Sequence, residues 1–274
     1  STAFAVLNAG LKPILVDIEK SSPMISLDIL KKKITSKTKV IMPVHLYGSV
    51  VDIKKIRKVI NKKKIHVIDD CSQAHGAYLD NKRVGSLADI SCFSLYPGKN
   101  LGAYGDAGII TTNNLNYYNK IKNFRNLGST KKFVHTQVGF NSRLDTIQAS
   151  ILIEKLKLLH SNNIKRRKIA KLYDHKIINK KIKKLNYSIG AVYHQYVVIT
   201  EKRKKLIDLL DKNNIQYGFH YPKSINQIES LKNLFSRQKY PNSENLAKNC
   251  ISLPIDPNLK KNELFKIIKI LNSF

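Results

Sequence analysis

A lysine in a glycine-rich loop is the residue whose surroundings most strongly suggest chemistry. Lys99 lies within residues 94–108, SLYPGKNLGAYGDAG, which follow a predicted buried strand and contain four glycines and one proline. Such a backbone turns tightly and can approach a ligand closely. Ligands of α/β sheets bind at the carboxyl ends of the strands, where a neutral amine could form a Schiff base. A solvated loop lysine explains this segment alone equally well, since 41 of the 49 lysines and arginines are lysines.

A carboxylate near the end of another predicted strand gives this lysine a chemical context. Asp70 lies within the predicted strand at residues 66–71. A buried carboxylate needs a cationic or hydrogen-bonding partner, and a protonated pyridine nitrogen would be one. The lysine and the aspartate together match what a pyridoxal phosphate site requires, because the carboxylate keeps the ring nitrogen protonated and the ring can then accept electrons.

The first half of the chain must position these two residues, and its pattern predicts an α/β fold. Short stretches rich in valine and isoleucine alternate with helical ones, which favours a largely parallel sheet covered on both faces. A helix is predicted at residues 53–63, because Ile53, Ile56, Val59 and Ile60 recur at helical spacing. The predicted strands are residues 12–18, 40–46, 66–71, 90–95 and 108–112.

The second half of the chain has a different pattern. Two helices are predicted at residues 145–159 and 163–179, separated by a short polar break. A strand at residues 193–200 and helices at residues 202–213 and 262–271 follow. We therefore predict a large domain with a mostly parallel sheet over residues 1–160 and a smaller α+β domain over residues 161–274.

The formal net charge of +30 raises the question of a nucleic-acid partner. Nucleic-acid sites favour arginine, which makes bidentate contacts, whereas the basic residues here are mostly lysines scattered along the chain. No helix-turn-helix, zinc or RNA-recognition pattern accompanies them. We interpret the charge as a lysine-rich bias on solvated helix faces and predict no nucleic-acid partner. A basic binding surface is the alternative.

The cysteines and the hydropathy indicate the compartment. Cys71, Cys92 and Cys250 are far apart, odd in number and form no CxxC pattern, so neither a disulfide framework nor a metal site is predicted. No apolar run approaches the ~20 residues of a membrane helix. These features predict a reduced, cytoplasmic location and no membrane partner.

Several further motifs occur in an order that resembles a known family. The whole set is similar to the sugar aminotransferases of the DegT/DnrJ/EryC1/StrS family, which are pyridoxal-phosphate enzymes of the aspartate aminotransferase fold, fold type I. The segment at residues 94–108 carries the most specific part of the resemblance. The others are GLKPILVDI at 10–18, DDCSQAHGA at 69–77, GFNSRLD at 139–145, QAS at 148–150, HQYVV at 194–198, HYP at 220–222 and SLP at 252–254.

The resemblance implies a role for each matching residue. Lys99 would be the Schiff-base lysine, and Asp70 would pair with the pyridine nitrogen. Gln73 would lie near the phenolic oxygen of the cofactor ring, and Ser94 would bind the cofactor phosphate. Asn141 would reach the phosphate of the neighbouring subunit's cofactor, so a homodimer with shared active sites is expected. Weaker candidates for the substrate pocket, for which packing or surface roles are equally open, are Arg143, His194, His220 and Tyr221.

The resemblance also implies a reaction. An amino acid, with glutamate as the expected donor, would give its amino group to a nucleotide-linked keto sugar. The YPGKNLGA form of the loop resembles the members that aminate C3 of dTDP-3-keto-6-deoxyhexoses. Free Lys99 would move the proton as a general acid and base.

The chain departs from the family at its start. Family members have a long stretch before the position of Ser1, which supplies a phosphate-binding turn and an aromatic residue stacked on the cofactor. We therefore expect the large domain to be incomplete at its N-terminus and cofactor binding to be weakened. A truncated, catalytically impaired or regulatory relative that keeps the fold is the alternative function.

Overall fold

A mixed four-stranded sheet carries both strand ends that the sequence points to. The computed structural model describes residues 1–61 and 63–274. The strands are β1 Val40–Ile41, β2 His66–Asp70, β3 Tyr78–Leu79, β4 Lys82–Arg83, β5 Ile90–Ser94, β6 Gly108–Thr111, β7 Ser129–Lys131, β8 Val134–His135, β9 Lys183–Lys184, β10 Tyr196–Ile199 and β11 Cys250–Leu253. The sheet has the order β1-β2-β5-β6, in which β1 with β2 and β2 with β5 run parallel, and β5 with β6 runs antiparallel.

The parallel pairing sets the geometry of the site. Asp70 is the last residue of β2 and pairs with Cys92 of β5, two residues before Ser94 at the end of β5. Because the carboxyl ends of parallel strands meet at one edge of a sheet, Asp70 and the loop that follows Ser94 share that edge. The α/β character is confirmed, and β6 makes the sheet mixed rather than wholly parallel.

Helices cover the sheet and supply its core. Ile53, Ile56 and Ile60 of α3 are buried together with Ile41 and Val67 of the strands. The helices are α1 Thr2–Asn8, α2 Leu27–Lys33, α3 Ile53–Ile60, α4 Leu115–Phe124, α5 Thr146–Lys176, α6 Arg203–Lys212, α7 Lys232–Phe235, α8 Pro241–Asn249 and α9 Lys261–Ser273. None of these helices combines the length and the apolar character that crossing a membrane requires.

Three predicted elements of the first half differ in the structure. Residues 12–18 do not form a strand: Pro13 has no N–H for a ladder, and only Ile18 makes an isolated bridge, to Ile25. The predicted strand at residues 40–46 is shortened to β1 and followed by an isolated bridge between Val44 and Asp70. The helix predicted to reach residue 63 ends at Ile60, and Lys62 lies outside the described residues.

The second half is built around one long helix. The two helices predicted at residues 145–159 and 163–179 are a single helix, α5, of 31 residues. Its C-terminal half packs on the antiparallel sheet β11-β10-β9 and on α6 and α9, and Tyr173 and Tyr196 lie at the centre of this core. The predicted division at residue 160 falls inside α5 and stays a prediction.

Candidate active site

Lys99 lies in a loop that is anchored to the sheet and to α5. The backbone N–H of Leu95 donates to Ala107 O at 2.8 Å, and that of Ala103 donates to Leu95 O at 2.7 Å. Leu95, Leu101 and Ala103 are buried in one cluster with residues of α5. A Cβ at Gly102 would lie 2.4 Å from the carbonyl oxygen of Pro97, so only glycine fits this turn. The loop is therefore a rigid support for a half-buried lysine.

The charge state of Lys99 reflects two opposing effects. Burial lowers the pKa of the Lys99 amine, and the carboxylate of Asp70 partly offsets this by raising it. Burial disfavours the charged form of an amine, whereas a nearby opposite charge favours it. The result is an amine that deprotonates more readily than an exposed lysine and lies within electrostatic range of Asp70.

The carboxylate of Asp70 is held by two donors. The hydroxyl of Thr2 donates to Asp70 Oδ2 at 2.6 Å, and the backbone N–H of Ser72 donates to Asp70 Oδ1 at 3.0 Å. Each carboxylate oxygen keeps a further lone pair for a ligand. Thr2 could not be predicted as a partner of Asp70 from the sequence, because the two residues are 68 positions apart and no local pattern links them.

Gln73 is a buried junction between three parts of the chain. Its Oε1 accepts from the backbone N–H of Tyr47 at 2.5 Å, and its Nε2 donates to the hydroxyl of Tyr221 at 2.9 Å. The hydroxyl of Tyr47 in turn donates to the carbonyl oxygen of His220. Tyr47 has a positive φ of 59° and precedes Gly48, whose φ is 86°. The structure thus joins Gln73, His220 and Tyr221 through Tyr47. The sequence offered one signal for Tyr47, which is its place directly before Gly48 and just after the strand predicted at residues 40–46.

Two histidines lie within electrostatic range of Lys99 and favour their neutral forms. His194 Nδ1 lies 3.2 Å from Asn100 Oδ1, and His220 Nδ1 lies 2.8 Å from the hydroxyl of Ser252. Burial and the charge of Lys99 lower both pKa values, and that of His194 falls to about 3. Cationic imidazoles beside Lys99 are therefore disfavoured at neutral pH.

Three predicted residues lie outside this hydrogen-bonded cluster. Ser94 is half-buried at the end of β5, and its hydroxyl accepts from the backbone N–H of Tyr96 at 3.4 Å. Asn141 and Arg143 are exposed, and Arg143 Nε donates to Asn141 Oδ1 at 3.1 Å. Among residues 1–61 and 63–274, no hydrogen bond or ion pair connects Asn141 or Arg143 to Lys99.

A second buried cluster lies behind the end of β2. His45, Asp69 and Cys71 are fully buried, and their ligand atoms lie within 4.8 Å of one another. His45 Nε2 lies 3.0 Å from Asp69 Oδ2, and His45 Nδ1 accepts from the backbone N–H of Val51 at 2.9 Å. Both imidazole nitrogens are thus engaged, and burial raises the pKa of the Cys71 thiol. The cluster anchors the strand end rather than offering ligands to a metal.

Known proteins resemble this chain over nearly its whole length. The sequence profile of the DegT/DnrJ/EryC1/StrS aminotransferase family matches residues 1–272. A dTDP-3-amino-3,6-dideoxy-alpha-D-galactopyranose transaminase of Aneurinibacillus thermoaerophilus is 38% identical over 276 residues, which are 100% of this chain and 76% of that protein. A UDP-N-acetyl-3-dehydro-alpha-D-glucosamine 3-aminotransferase of Acidithiobacillus ferrooxidans is 34% identical over 276 residues, 99% of this chain and 74% of that protein.

A solved structure has the same fold. The crystal structure of DesV from S. venezuelae superposes with a TM-score of 0.94 at 31% sequence identity. The match covers 99% of this chain and 74% of DesV.

Proposed function

Because the chain belongs to the DegT/DnrJ/EryC1/StrS aminotransferase family, we propose that it transfers the amino group of glutamate to a dTDP-3-keto-6-deoxyhexose. The coarser statement, a sugar-nucleotide aminotransferase that depends on pyridoxal phosphate, follows from family membership. One observation carries the proposal. Lys99 is half-buried on a glycine-rich loop, and this loop lies at the same edge of the sheet as Asp70, the last residue of β2.

The residues present fit this cofactor. The edge offers an amine whose pKa is lowered by burial, a carboxylate with free lone pairs, and a strand-end hydroxyl. When bound, the cofactor supplies the electron sink that makes the Cα–H bond of an amino acid acidic. Lys99 would hold the cofactor covalently, Asp70 would bind the pyridine nitrogen, Gln73 would lie near the phenolic oxygen and Ser94 would bind the phosphate.

The same residues account for the proton transfer. Lys99 Nζ takes up the proton that the amino donor loses from its Cα, and burial helps because a neutral amine is the required base. Asp70 keeps its carboxylate oriented through Thr2 and Ser72. His194 and His220 lie within electrostatic range of Lys99, and Tyr221 is hydrogen-bonded to Gln73. These three residues would line the sugar pocket, for which Arg143 is the remaining candidate.

The choice of sugar rests on the loop sequence and on similarity. One similar relative is named for a dTDP-linked amino sugar and another for a UDP-linked one. A direct comparison of the two sugar nucleotides as substrates therefore tests the choice. The purified protein with pyridoxal phosphate and glutamate would be offered a dTDP-3-keto-6-deoxyhexose and a UDP-linked 3-keto-N-acetylglucosamine, with mass detection of the amino sugar. We expect faster amination of the dTDP sugar, and none with Lys99→Ala. Faster amination of the UDP sugar would contradict the proposed dTDP substrate. Amination of neither sugar would contradict the proposed transfer of an amino group to a nucleotide-linked keto sugar.

We also propose that the active site is shared between two copies of the chain. Asn141 is exposed, and large apolar side chains close to it in sequence are exposed as well, Phe133 at 84% and Val138 at 92%. Exposed large apolar side chains that cluster on a surface mark an interaction site. Other exposed apolar side chains between residues 118 and 153 are Tyr118, Phe124, Phe140, Ile147 and Ile153.

Mixing two inactive variants tests the shared site. If Asn141 acts across the interface, a dimer of one Lys99→Ala chain and one Asn141→Ala chain contains one intact site. Random pairing after co-expression then restores about a quarter of the wild-type activity. Activity no higher than that of the separate variants would show that Asn141 acts within its own chain.

The cysteines support a cytoplasmic location for this enzyme. Cys71, Cys92 and Cys250 are all unpaired, which suits a reducing compartment. Fractionation of the source cells, with detection of the chain by antibody, tests this part of the proposal. Recovery of the chain outside the cytoplasmic fraction would contradict it.

A further inference from the structure

A chain of buried amides connects the middle of α5 to the residue that follows Lys99. Asn163 is only 2% exposed, although it lies on a helix face with Leu152 and Leu159. Its Nδ2 donates to the carbonyl oxygen of His75 at 2.8 Å. Its Oδ1 accepts from Asn100 Nδ2 at 3.1 Å. A buried amide costs free energy unless both ends are paired, and both ends of Asn163 are.

Two backbone carbonyls fix the orientation of both amides. Asn163 presents Nδ2 to the carbonyl of His75, which can only accept, so its Oδ1 must face Asn100. Asn100 Nδ2 also donates to the carbonyl of Val192 at 3.2 Å. Turning either amide over would place two acceptors against each other. Asn100 Oδ1 must therefore face His194.

This orientation determines where His194 carries its proton. His194 Nδ1 lies 3.2 Å from Asn100 Oδ1, which offers only lone pairs, so a hydrogen bond requires the proton on Nδ1. In the neutral ring the lone pair is then on Nε2. Within residues 1–61 and 63–274, no hydrogen bond reaches this Nε2.

We infer that Asn100 and Asn163 are positioning residues that hold His194 as the Nδ1–H tautomer, so that Nε2 is left as a hydrogen-bond acceptor. Asn100 follows Lys99 directly, so the same amide that orients His194 also ties the lysine loop to α5. The network is buried at its α5 end and half-buried at its His194 end, where a ligand can approach.

The tautomer has a consequence for recognition that rests on the proposed function. A keto sugar offers hydroxyl donors, whereas its diphosphate offers acceptors only. A neutral imidazole with a bare Nε2 can accept from a hydroxyl but cannot donate to a phosphate. His194 therefore suits the sugar ring and not the diphosphate.

The charged and titratable groups around His194 keep it neutral. Burial, and after it the effects of Lys99, Arg166, His75 and His220, together lower its pKa to about 3. A positive neighbour disfavours a second positive charge. His194 is thus neutral at neutral pH and keeps the lone pair on Nε2.

Nitrogen NMR of the holoenzyme with ¹⁵N-labelled histidine tests the tautomer directly. A His194→Gln spectrum identifies the His194 signals among those of the eight histidines. We expect a protonated Nδ1 and a bare Nε2 at neutral pH. A proton on Nε2, or on both nitrogens, would overturn the inference. This readout does not depend on turnover, so it stands or fails separately from the proposed substrate.

A matched pair of variants on α5 tests the role of Asn163. Asn163→Leu removes both hydrogen bonds, whereas Asn162→Leu changes the adjacent asparagine, for which no side-chain hydrogen bond is found in the described chain. In Asn163→Leu only the Val192 carbonyl still orients Asn100. We therefore expect a weaker preference of His194 for one tautomer and a kcat/KM for the sugar that is about two- to tenfold lower, as the loss of a neutral hydrogen bond predicts. Equal spectra and rates for the two variants would refute the role of Asn163. If Asn163→Leu does not fold, the wild-type spectrum still decides the tautomer.

A carboxylate in place of the Asn100 amide tests the link through pH. In Asn100→Asp, the negative charge at Nδ1 favours the imidazolium and raises the pKa of His194 by about one to three units. Protonated His194 has no lone pair with which to accept a hydrogen bond. As the pH is lowered, kcat/KM for the sugar should therefore begin to fall at a higher pH in Asn100→Asp than in the wild type. Superimposable pH profiles would contradict the assignment.

Discussion

The charge of Asp70 is the feature whose removal makes the sharpest test of the site. In Asp70→Asn the shape is kept and one negative charge is lost. The two hydrogen bonds can also be kept: Asn Oδ1 still accepts from the Ser72 N–H, and Asn Nδ2 can donate to the Thr2 hydroxyl, which is able to accept instead of donating. The substitution therefore isolates the electrostatic contribution of the carboxylate.

The expected loss is large because the carboxylate acts where charge develops. Preorganised groups of this kind typically contribute ~3–4 kcal/mol to the transition state, which is a ~100- to 1000-fold loss of rate. Removal of the charge also removes the effect of Asp70 that raises the pKa of Lys99. That pKa falls further in the variant, so a shortage of neutral Lys99 cannot explain the slower reaction. Asp70→Ala should lose at least as much as Asp70→Asn.

A half-reaction with glutamate measures this effect without the sugar. The absorbance change of the bound cofactor is followed in single turnovers for wild type, Asp70→Asn and Asp80→Asn. Asp80 is an exposed aspartate paired with Lys54 at 2.7 Å, and its variant is the control expected to keep the wild-type rate. A rate for Asp70→Asn within a fewfold of wild type would refute the proposed pairing of Asp70 with the pyridine nitrogen.

Three further predictions concern single residues. Borohydride reduction of the holoenzyme followed by peptide mapping should label Lys99 alone, and label on another lysine would contradict the assignment. His45→Ala should lower the free energy of unfolding by about 1.5–3 kcal/mol in denaturant titrations, because it removes a hydrogen bond to the buried carboxylate of Asp69. A loss below about 1 kcal/mol would show that this bond is not stabilising. Tyr47→Phe removes the hydrogen bond to the His220 carbonyl and should lower the free energy of unfolding by about 0.5–1.5 kcal/mol, and an unchanged value would show that this bond contributes nothing.

The sheet edge could be predicted from sequence because strand ends follow from local patterns. The stretches HVIDD and ISCFS are short, contain β-branched or aromatic residues and end at a polar residue, and the structure ends β2 and β5 at Asp70 and Ser94. The failed strand at residues 12–18 shows the limit of this reasoning. It contains the consecutive apolar residues Ile14, Leu15 and Val16, but Ile14 is half-exposed and only an isolated bridge at Ile18 pairs the segment with another part of the described chain. Whether a partner strand is present depends on distant parts of the chain.

The contacts that orient the site could not be predicted, because they join residues far apart in sequence. Thr2 reaches Asp70, and Tyr47 joins Gln73 to the backbone of His220, across separations of 68, 26 and 173 residues. Each of these side chains is an ordinary choice for its local structure. Only the assembled fold shows that their donors and acceptors are matched.

A polar break between two helices was predicted within residues 145–179, whereas the structure has the single helix α5 there. Asn162 and Asn163 are poor helix formers, and Ser161 bonds back to the Leu158 carbonyl at 2.9 Å, a contact that competes with the helix ladder. The helix continues because tertiary contacts outweigh propensity: Asn163 lies on the buried face, where it gains hydrogen bonds to the His75 carbonyl and to Asn100 that a leucine could not make. A polar residue at a buried helical position has a cost that packing alone does not repay. Its place beside the Lys99 loop is therefore better explained by the orientation of the site than by the stability of the helix.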